Sequence, residues 1–333
     1  MKELYDVIII GGGPIGLACG LAAQANNLSY IILEKGCLVN SLYRYPVNMT
    51  FFSTSERLEI GDIPFVTTLP KPKRAEALEY YRRIQTKFDL NTRLFEEVSA
   101  VHKEDNLFEV TTIKGTYTGR NIIVATGFYD IPMYLNIPGE DLPKVSHYYN
   151  DPHYYAGQRV IVVGASNSSI DAALETYRKG ADVTLVVRGS EISPRVKYWV
   201  RPDIENRIAE GSIRAYYHSE LAEITPNEAV IKTPKGLVKM DNDFVLALTG
   251  YRPNFEFLQK IGIHVPSDGP MIPTHNTGTM ETNVPGMYLA GVVCGGLNTH
   301  LWFIENSRIH ADMIISAIVK KKSFTKSVNK NYG

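Results

Sequence analysis

The chain is poor in cysteine. Its 333 residues include three cysteines, Cys19, Cys37 and Cys294, and no two of them lie within four residues of each other. Three thiols cannot build a disulfide framework. The missing C-x-x-C spacing also excludes a zinc ribbon and a C-x-x-C redox dithiol. Any thiol chemistry would therefore depend on an isolated cysteine.

The sequence also lacks an excess of charge and a long apolar run. Lys+Arg and Asp+Glu both number 35, so the formal net charge is zero, whereas a nucleic-acid binder would carry surplus positive charge. The apolar run Val7–Ile10 ends at Gly11, is too short to span a bilayer, and lacks the layout of a signal peptide. We therefore expect a soluble, cytoplasmic protein without a nucleic-acid or membrane partner.

Two segments of the chain share a strand–helix–strand pattern. The first pairs apolar strands at 6–10 and Tyr30–Leu33, and the second pairs strands at Arg159–Val163 and 183–187. Each pair of strands flanks one helix. Continuous apolar runs are typical of buried parallel strands. A chain of this length, at roughly 150 residues per domain, has room for two such nucleotide-sized domains.

A glycine-rich turn follows the first strand. Residues 11–16 read G-G-G-P-I-G, which satisfies the G-x-G-x-x-G pattern. Gly11 permits the tight turn, Gly13 lets a pyrophosphate approach the backbone, and Gly16 lets the helix pack on the strand. Glu34 ends the second strand, where a carboxylate accepts hydrogen bonds from ribose hydroxyls. The combination predicts a dinucleotide site.

The second unit carries a modified version of the same turn. Its residues 164–169 read G-A-S-N-S-S, so small serines replace two glycines. Space for a pyrophosphate remains, and the hydroxyls add hydrogen-bond donors. The predicted contacts of this second dinucleotide are Gly164, Ser166, Asn167 and Ser168.

The end of the next strand carries a base in place of an acid. Arg188 occupies the position at which other dinucleotide sites carry a carboxylate. A carboxylate would repel a 2′-phosphate, whereas the guanidinium of an arginine pairs with it. The second site is therefore predicted to prefer NADPH, with Arg195 as a second cation. Lys197 is a further candidate cation, although a solvated position without a role is favoured for it.

The predicted fold class is α/β, with two Rossmann-like dinucleotide-binding domains, the NADPH domain inserted into the other. Pro- and Gly-punctuated seams divide the chain into a discontinuous first domain, 1–130 and 254–320, and an inserted domain, 131–253. The lysine-rich segment 321–333 is predicted to be a flexible tail.

Further segments make the chain similar to a known family. It resembles the bacillithiol-disulfide reductase-like FAD/NADPH flavoproteins, within the thioredoxin-reductase-like two-dinucleotide group, over about residues 5–320. The blocks that resemble the family are Y-P at 45–46, T-F-F-S-T-S at 50–55, I-G-D-I-P-F at 60–65, D-L-P-K-V at 141–145 and F-I-E-N at 303–306.

The resemblance implies FAD on the first unit, NADPH on the second, and a homodimer. It places Val98 at the adenine, Thr126 and Gly127 against the FAD, and Gly291 at the ribityl chain and pyrophosphate. Aromatic residues Tyr43 and Phe52 fall where relatives wrap the isoalloxazine. The remaining FAD contacts predicted from these motifs are Pro14, Ile15, Lys35 and Ala125.

One position departs from the family pattern. Many members carry a cysteine at the fifth position of the glycine-rich motif, and this chain has Ile15 there. Cys294 is a substitute candidate, with packing beneath the cofactor as the favoured alternative. Glu305 and His310 are also catalytic candidates, His310 as a proton donor or as a buried, hydrogen-bonded histidine. Together with His300 they are spaced five and five and do not share a helical face, so no metal site is predicted.

The predicted function is that of an FAD-dependent NADPH oxidoreductase reducing a small disulfide such as bacillithiol disulfide. An electron-carrier reductase, acting on a ferredoxin- or flavodoxin-type protein without thiol chemistry, is the first alternative. A flavin monooxygenase, suggested by the segment around His147, and a non-catalytic nucleotide sensor are weaker alternatives.

Overall fold

The computed structural model describes the backbone of residues 3–331 and the side chains of residues 3–323. The strands are β1 Leu4–Tyr5, β2 Val7–Ile10, β3 Tyr30–Leu33, β4 Thr92–Arg93, β5 Val98–Glu104, β6 Leu107–Thr112, β7 Thr116–Gly119, β8 Ile122–Val124, β9 Ile131–Pro132, β10 Val145–Ser146, β11 Arg159–Val163, β12 Asp182–Val186, β13 Arg214–Tyr216, β14 Glu220–Ile224, β15 Glu228–Thr233, β16 Gly236–Asp241, β17 Phe244–Ala247, β18 Tyr251–Arg252 and β19 Met287–Leu289. The α-helices are α1 Pro14–Ala25, α2 Asn40–Tyr43, α3 Arg74–Lys87, α4 Asn167–Arg178, α5 Arg201–Ala209, α6 Phe255–Lys260, α7 Ile304–Ser307 and α8 His310–Asn331.

The chain forms two compact units. The first contains the described residues within Met1–Arg44, Met49–Ile131 and Tyr251–Gly333, and the second contains Tyr45–Asn48 and Pro132–Gly250. The insertion thus begins at 132, where 131 was predicted, and ends at 250, where 253 was predicted. The short segment 45–48 joins the second unit because the Val47 amide donates to the carbonyl of Asn150 at 3.0 Å.

The first unit is built on a parallel sheet in the order β19-β8-β2-β3-β4. The central residues Ile8, Ile9 and Ile32 are fully buried, which is why the strands read as unbroken apolar runs. A second sheet, in the order β1-β7-β6-β5, is antiparallel except for its β1–β7 pair. The carboxyl ends of β2 and β3 carry the predicted glycine turn and Glu34.

The second unit is a three-layer sandwich. Its parallel sheet runs β10-β17-β11-β12-β13. Alternate residues of β11 face opposite layers: Val160 and Val162 pack in the cluster that includes helix α4, whereas Ile161 and Val163 pack with Leu221 and other residues of the antiparallel sheet β14-β15-β16. The two units together confirm the predicted fold class.

The C-terminal part of the chain contains two helices. A turn at Arg308 and Ile309 separates α7 from α8. The Arg308 guanidinium donates to the carbonyls of Glu56 and Glu59, at 3.1 and 2.7 Å. These hydrogen bonds hold the turn against the 56–59 segment of the first unit.

The segment predicted to be a flexible tail, 321–333, begins inside α8. The Lys321 and Lys322 ammonium groups pair there with Glu281 and Asp6, at 2.5 and 2.8 Å. Residues 332 and 333 lie outside the part of the chain that the structure describes. Among the described residues, none of the helices has the length and apolar content that a membrane crossing needs.

Candidate dinucleotide and redox site

The glycine turn of the first unit is held by contacts that only glycine allows. Gly11 has φ +109°, and a Cβ there would lie 2.5 Å from the carbonyl oxygen of Ala125. A Cβ at Gly16 would lie 1.9 Å from the Gly11 carbonyl oxygen. Gly13 differs, because nothing lies within 4 Å of its Cβ position. It precedes α1, whose amino end has no side-chain cap, so the amides of the first turn after Pro14 are available to an anion.

Glu34 is buried at the end of β3 and is fixed by two backbone amides. Its Oε2 accepts from the Gly12 amide at 2.7 Å, and its Oε1 accepts from the Gly36 amide at 2.8 Å. Burial raises the pKa of this carboxyl, while the two amides oppose that shift. Each oxygen retains a second lone pair for a hydroxyl donor. The sequence indicated Glu34 but not the two amides that orient it.

The remaining predicted contacts of the first unit surround this turn. The Ala125 amide donates to the Ile10 carbonyl at 2.8 Å, which brings 125–127 beside the glycines. Val98 is buried at the start of β5, two residues after Glu96, whose amide donates to the Glu34 carbonyl at 2.8 Å. Lys35 pairs with Asp130 at 2.8 Å. The structure therefore gathers these predicted FAD contacts around the glycine turn and the carboxyl ends of β3 and β8.

The two candidate stacking residues are exposed, and each has a cation against its ring. Tyr43 is 56% exposed and Phe52 is 55% exposed. The Arg74 guanidinium lies 5.6 Å from the Tyr43 ring centre, and the Lys71 ammonium lies 5.0 Å from that of Phe52. Such pairs orient aromatic rings. Neither cation was recognised in the sequence, because no short spacing links it to its ring.

A second cluster joins Ile15 to the C-terminal segment. A Cβ on Gly291 would lie 3.3 Å from the Ile15 Cγ1. Gly291 therefore packs directly on Ile15, the residue that departs from the family pattern. The Gly291 amide donates to Nδ1 of buried His310 at 3.1 Å. Cys294 Sγ lies 3.9 Å from the same nitrogen, and the ring of Trp302 meets His310 edge-on at 4.6 Å.

His310 is neutral in this environment. Burial lowers its pKa from 6.5 to about 4. Because Nδ1 accepts the Gly291 amide, the single ring proton is carried by Nε2. Two roles were considered for His310, a proton donor and a buried, hydrogen-bonded histidine, and the local geometry matches the second. Its part in proton transfer stays a prediction.

None of the three cysteines is a thiolate at neutral pH. Cys294 is 1% exposed, and burial raises its pKa. Burial raises the pKa of Cys19 to about 12 and also raises that of half-buried Cys37. Because the thiolate is the reactive form, these surroundings favour packing over nucleophilic chemistry for all three. Glu305, in α7, pairs with Arg57 at 3.7 Å.

The turn of the second unit repeats the glycine constraint. Gly164 has φ +131°, and a Cβ there would lie 2.6 Å from the Leu248 carbonyl oxygen. Ser166 precedes α4, and its side chain makes no capping hydrogen bond. Ser168 is in the first turn of α4. Arg188 is exposed, two residues beyond the end of β12. The predicted phosphate-binding groups therefore surround the amino end of α4 and the neighbouring strand end.

Asn167 has a role that was not predicted. Its Oδ1 accepts from the Lys197 amide at 2.8 Å, and its Nδ2 donates to the Arg195 carbonyl at 3.1 Å. The side chain therefore ties the loop carrying Arg195 to the amino end of α4. Lys197 itself is buried and pairs with Asp171 at 2.6 Å. The interpretation of Lys197 as a solvated residue is therefore wrong, because Asp171 provides a buried partner.

The comparisons with known proteins decide the family. A family model described as pyridine nucleotide-disulphide oxidoreductase matches residues 8–291. The chain belongs to this family. It is 45% identical over 318 residues, 95% of this chain and 98% of the relative, to "Bacilliredoxin reductase Bdr" of Bacillus subtilis strain 168. The solved "Bacillithiol Disulfide Reductase Bdr (YpdA) from Bacillus cereus" matches with a TM-score of 0.93 and 41% identity, over 96% of this chain and 100% of that one.

A more distant relative has a different printed activity. The chain is 26% identical over 300 residues to "Ferredoxin--NADP reductase" of Ignicoccus hospitalis, which covers 86% of this chain and 90% of the relative. The predicted resemblance to the bacillithiol-disulfide reductase-like group is confirmed. As a pyridine nucleotide-disulphide oxidoreductase, the protein is an enzyme that uses a flavin and a pyridine nucleotide. Within the described residues, no three His, Cys, Asp or Glu side chains group as a metal site requires.

Two glycine substitutions should distinguish an effect on the stability of the fold from an effect on flavin binding. Gly16→Ala places its Cβ against the Gly11 carbonyl and should destabilise the protein by about 3 kcal/mol. Gly13→Ala meets no neighbour, so in the flavin-free form its unfolding midpoint should match that of the unchanged protein, while flavin affinity falls at least about tenfold. Urea unfolding and visible absorbance measure the two effects. Full flavin content in Gly13→Ala would contradict this assignment of the turn.

His310 should make stability depend on pH. Its folded pKa of about 4 is below the ordinary 6.5, so the neutral form stabilises the fold above pH 6.5, and that contribution is lost as the pH falls from 6.5 towards 4. The loss should reach roughly 2 kcal/mol by pH 5. His310→Asn keeps an acceptor for the Gly291 amide without titrating. Urea unfolding from pH 7 to 4.5 should show a shallower decline for this variant, and parallel curves would count against the assignment.

The Lys197–Asp171 pair should be coupled. Asp171→Asn leaves a buried ammonium without its counter-charge and should cost roughly 2 kcal/mol of stability, less than a fully buried pair because the Asp171 side chain is 22% exposed. Adding Lys197→Met removes the stranded charge and should recover about half of that loss. A double-mutant cycle by urea unfolding measures the coupling. Additive losses would show that the two groups do not depend on each other.

Proposed function

We propose that this enzyme passes hydride from NADPH to FAD and then reduces a low-molecular-weight disulfide such as bacillithiol disulfide. The observation that carries the proposal is the pairing of two glycine-turn sites, one per unit, that end in groups of opposite charge, Glu34 and Arg188. The printed names of the relatives at 45% and 41% identity, a bacilliredoxin reductase and a bacillithiol disulfide reductase, support the choice of acceptor.

FAD suits the first unit. Gly13 leaves the space that a pyrophosphate needs, and the free amides at the start of α1 favour its negative charge. Buried Glu34, held by two amides, presents a fixed acceptor for ribose hydroxyls. When bound, the flavin supplies a two-electron carrier between nicotinamide and acceptor. The residues of this chain bind and orient it, and His310 fixes the Gly291 peptide beside Ile15.

NADPH suits the second unit. The turn at 164–168 leads into α4 as a phosphate-binding turn does, and Asn167 holds Arg195 close to the amino end of that helix. Arg188 stands at the strand end where an NADH-specific site carries a carboxylate. The overall reaction is NADPH, a proton and one disulfide giving NADP⁺ and two thiols, so the two electrons and two hydrogens balance.

The surroundings of the thiols determine how the disulfide is reduced. Ile15 occupies the position of the family cysteine, and Cys294 is buried with a raised pKa. We therefore propose that the electrons reach the disulfide without a thiol of this chain as a relay. The neutral imidazole of His310, with its hydrogen on Nε2, is suited to donate a hydrogen bond to the thiolate that forms, and solvent supplies the proton that completes the thiol.

An electron-carrier reductase is the second candidate. It is favoured by the lack of a reactive thiol among Cys19, Cys37 and Cys294, since one-electron transfer to a carrier needs none. The ferredoxin–NADP reductase relative at 26% identity is in line with it. A flavin monooxygenase has no comparable support. We further propose a cytoplasmic homodimer, which rests on the family resemblance.

Rapid mixing tests the acceptor. The anaerobic protein is reduced with NADPH and then mixed with bacillithiol disulfide or, separately, with a ferredoxin or flavodoxin. We expect flavin reoxidation at a catalytic rate by the disulfide. The cysteine-free variant, Cys19→Ala with Cys37→Ser and Cys294→Ala, should keep its rate within about threefold, since a packing change alone is expected.

The outcomes separate the two candidates. Reoxidation by the carrier protein alone would replace disulfide reduction with electron transfer. A loss of disulfide turnover in the cysteine-free variant, with NADPH-dependent flavin reduction intact, would instead show that a buried thiol relays the electrons. Single reversions to Cys294 and to Cys37 would then identify which thiol is required.

A further inference from the structure

A cleft of about 300 Å³ opens at the strand end that carries Arg188. Besides Arg188, two more basic side chains line it, His218 and Lys232. Arg188 lies two residues after β12, and His218 lies two residues after the neighbouring parallel strand β13. Lys232 reaches the same cleft from β15 in the antiparallel sheet. The loops after β12 and β13 and one residue of β15 thus each contribute a basic side chain to one small cleft.

Backbone hydrogen bonds fix the two loops relative to each other. The Val187 amide donates to the Tyr216 carbonyl at 2.8 Å, and the Ser219 amide donates back to the Val187 carbonyl at 3.0 Å. The His218 amide donates to the Gly189 carbonyl at 2.9 Å. The basic side chains on these loops are therefore held on a rigid frame, which limits the entropy lost when an anion binds.

His218 adopts an unusual backbone conformation. Its φ of +50° lies in the left-handed region, which a non-glycine residue occupies at a cost of about 1 kcal/mol or more. Strain of this kind persists where the surroundings impose it, and it is concentrated at binding sites. The hydrogen bonds of the flanking loop supply that constraint. The result is an exposed imidazole, on a constrained backbone, at the cleft that Arg188 also lines.

We propose that His218 and Lys232 act with Arg188 to recognise the 2′-phosphate of NADPH. This inference rests on the proposed binding of NADPH by the second unit, and it assigns the discrimination against NADH to the cleft. A phosphate monoester carries about −1.5 to −2 charges at neutral pH, more than one guanidinium neutralises. NADH has an uncharged hydroxyl at this position, so it gains nothing from three basic groups.

One acidic side chain in the cleft moderates the attraction. Glu220 pairs with the Lys232 ammonium at 3.1 Å, and both groups are more than half exposed. The carboxylate keeps the ammonium at the cleft but also repels an incoming phosphate. Removing the acid with Glu220→Gln should therefore strengthen binding of a 2′-phosphate by about twofold, because exposed pairs are individually weak.

Calorimetric titration of the holoenzyme with 2′,5′-ADP and 5′-AMP tests the assignment, since the two probes differ by the 2′-phosphate alone. His218→Asn suits the left-handed backbone, which asparagine tolerates, and removes the imidazole. Lys232→Gln removes the ammonium. Lys235→Gln is the matched control, because it removes one charge from the same β15–β16 hairpin outside the cleft lining.

We expect His218→Asn and Lys232→Gln each to raise the Kd for 2′,5′-ADP about threefold, and the double variant about tenfold. The Kd for 5′-AMP should not change, and Lys235→Gln should match the unchanged protein with both probes. The ratio of kcat/KM for NADPH to that for NADH should fall in the double variant by the same factor.

Failure of this inference can be told apart from failure of the proposed function. If the unchanged enzyme prefers NADH, or reduces its flavin with neither nucleotide, the proposed function fails. If it prefers NADPH but the cleft variants bind 2′,5′-ADP as Lys235→Gln does, this assignment alone is overturned. Equal weakening of 5′-AMP would also overturn it, because His218 and Lys232 would then position the adenosine rather than recognise the phosphate.

Discussion

The close approach of helix α1 to the turn after β2 is the constraint on which the first unit depends. No Cβ fits at Gly16 against the carbonyl of Gly11, and the Gly11 amide in turn donates to the Leu33 carbonyl at 2.8 Å. The Gly12 carbonyl accepts from the Val39 amide at 3.1 Å, while the Gly12 amide holds Glu34. One backbone turn therefore sets the helix end, the strand end and the following loop together.

The second unit has the same backbone constraint at its turn but carries the opposite charge beside it. Its turn is again closed by a glycine, Gly164, against a carbonyl of the neighbouring strand end. The first unit places a carboxylate at its strand end, and the second places a guanidinium there. Two copies of one geometry thus present opposite charges, which suits the first to a ribose with free hydroxyls and the second to a ribose that carries a 2′-phosphate. The two sites therefore differ in the charged residues at their strand ends, Glu34 and Arg188, rather than in the turn itself.

Much of this arrangement could be predicted from the sequence, for a physical reason. Parallel strands buried on both faces read as apolar runs, so the predicted strand 6–10 and the observed Val7–Ile10 nearly coincide. Residues at strand ends, such as Glu34 and Arg188, follow by counting along the chain. The pairing of Lys197 with Asp171, 26 residues apart, and of His310 with the Gly291 amide has no local pattern. These contacts depend on tertiary packing, as does the turn at Arg308, and only the folded chain reveals them.

The protonated state of the cysteines bears on how the enzyme withstands its own working conditions. Disulfides accumulate when peroxide is abundant, and peroxide oxidises cysteines in proportion to their thiolate character and their exposure. Burial protects Cys294 and Cys19 on both counts, and the raised pKa of Cys37 protects it on the first. A chain with isoleucine beside Gly291 offers oxidants no sulfur at that position. Under the proposed electron transfer without a thiol relay, oxidation of a cysteine therefore leaves the path of the electrons intact.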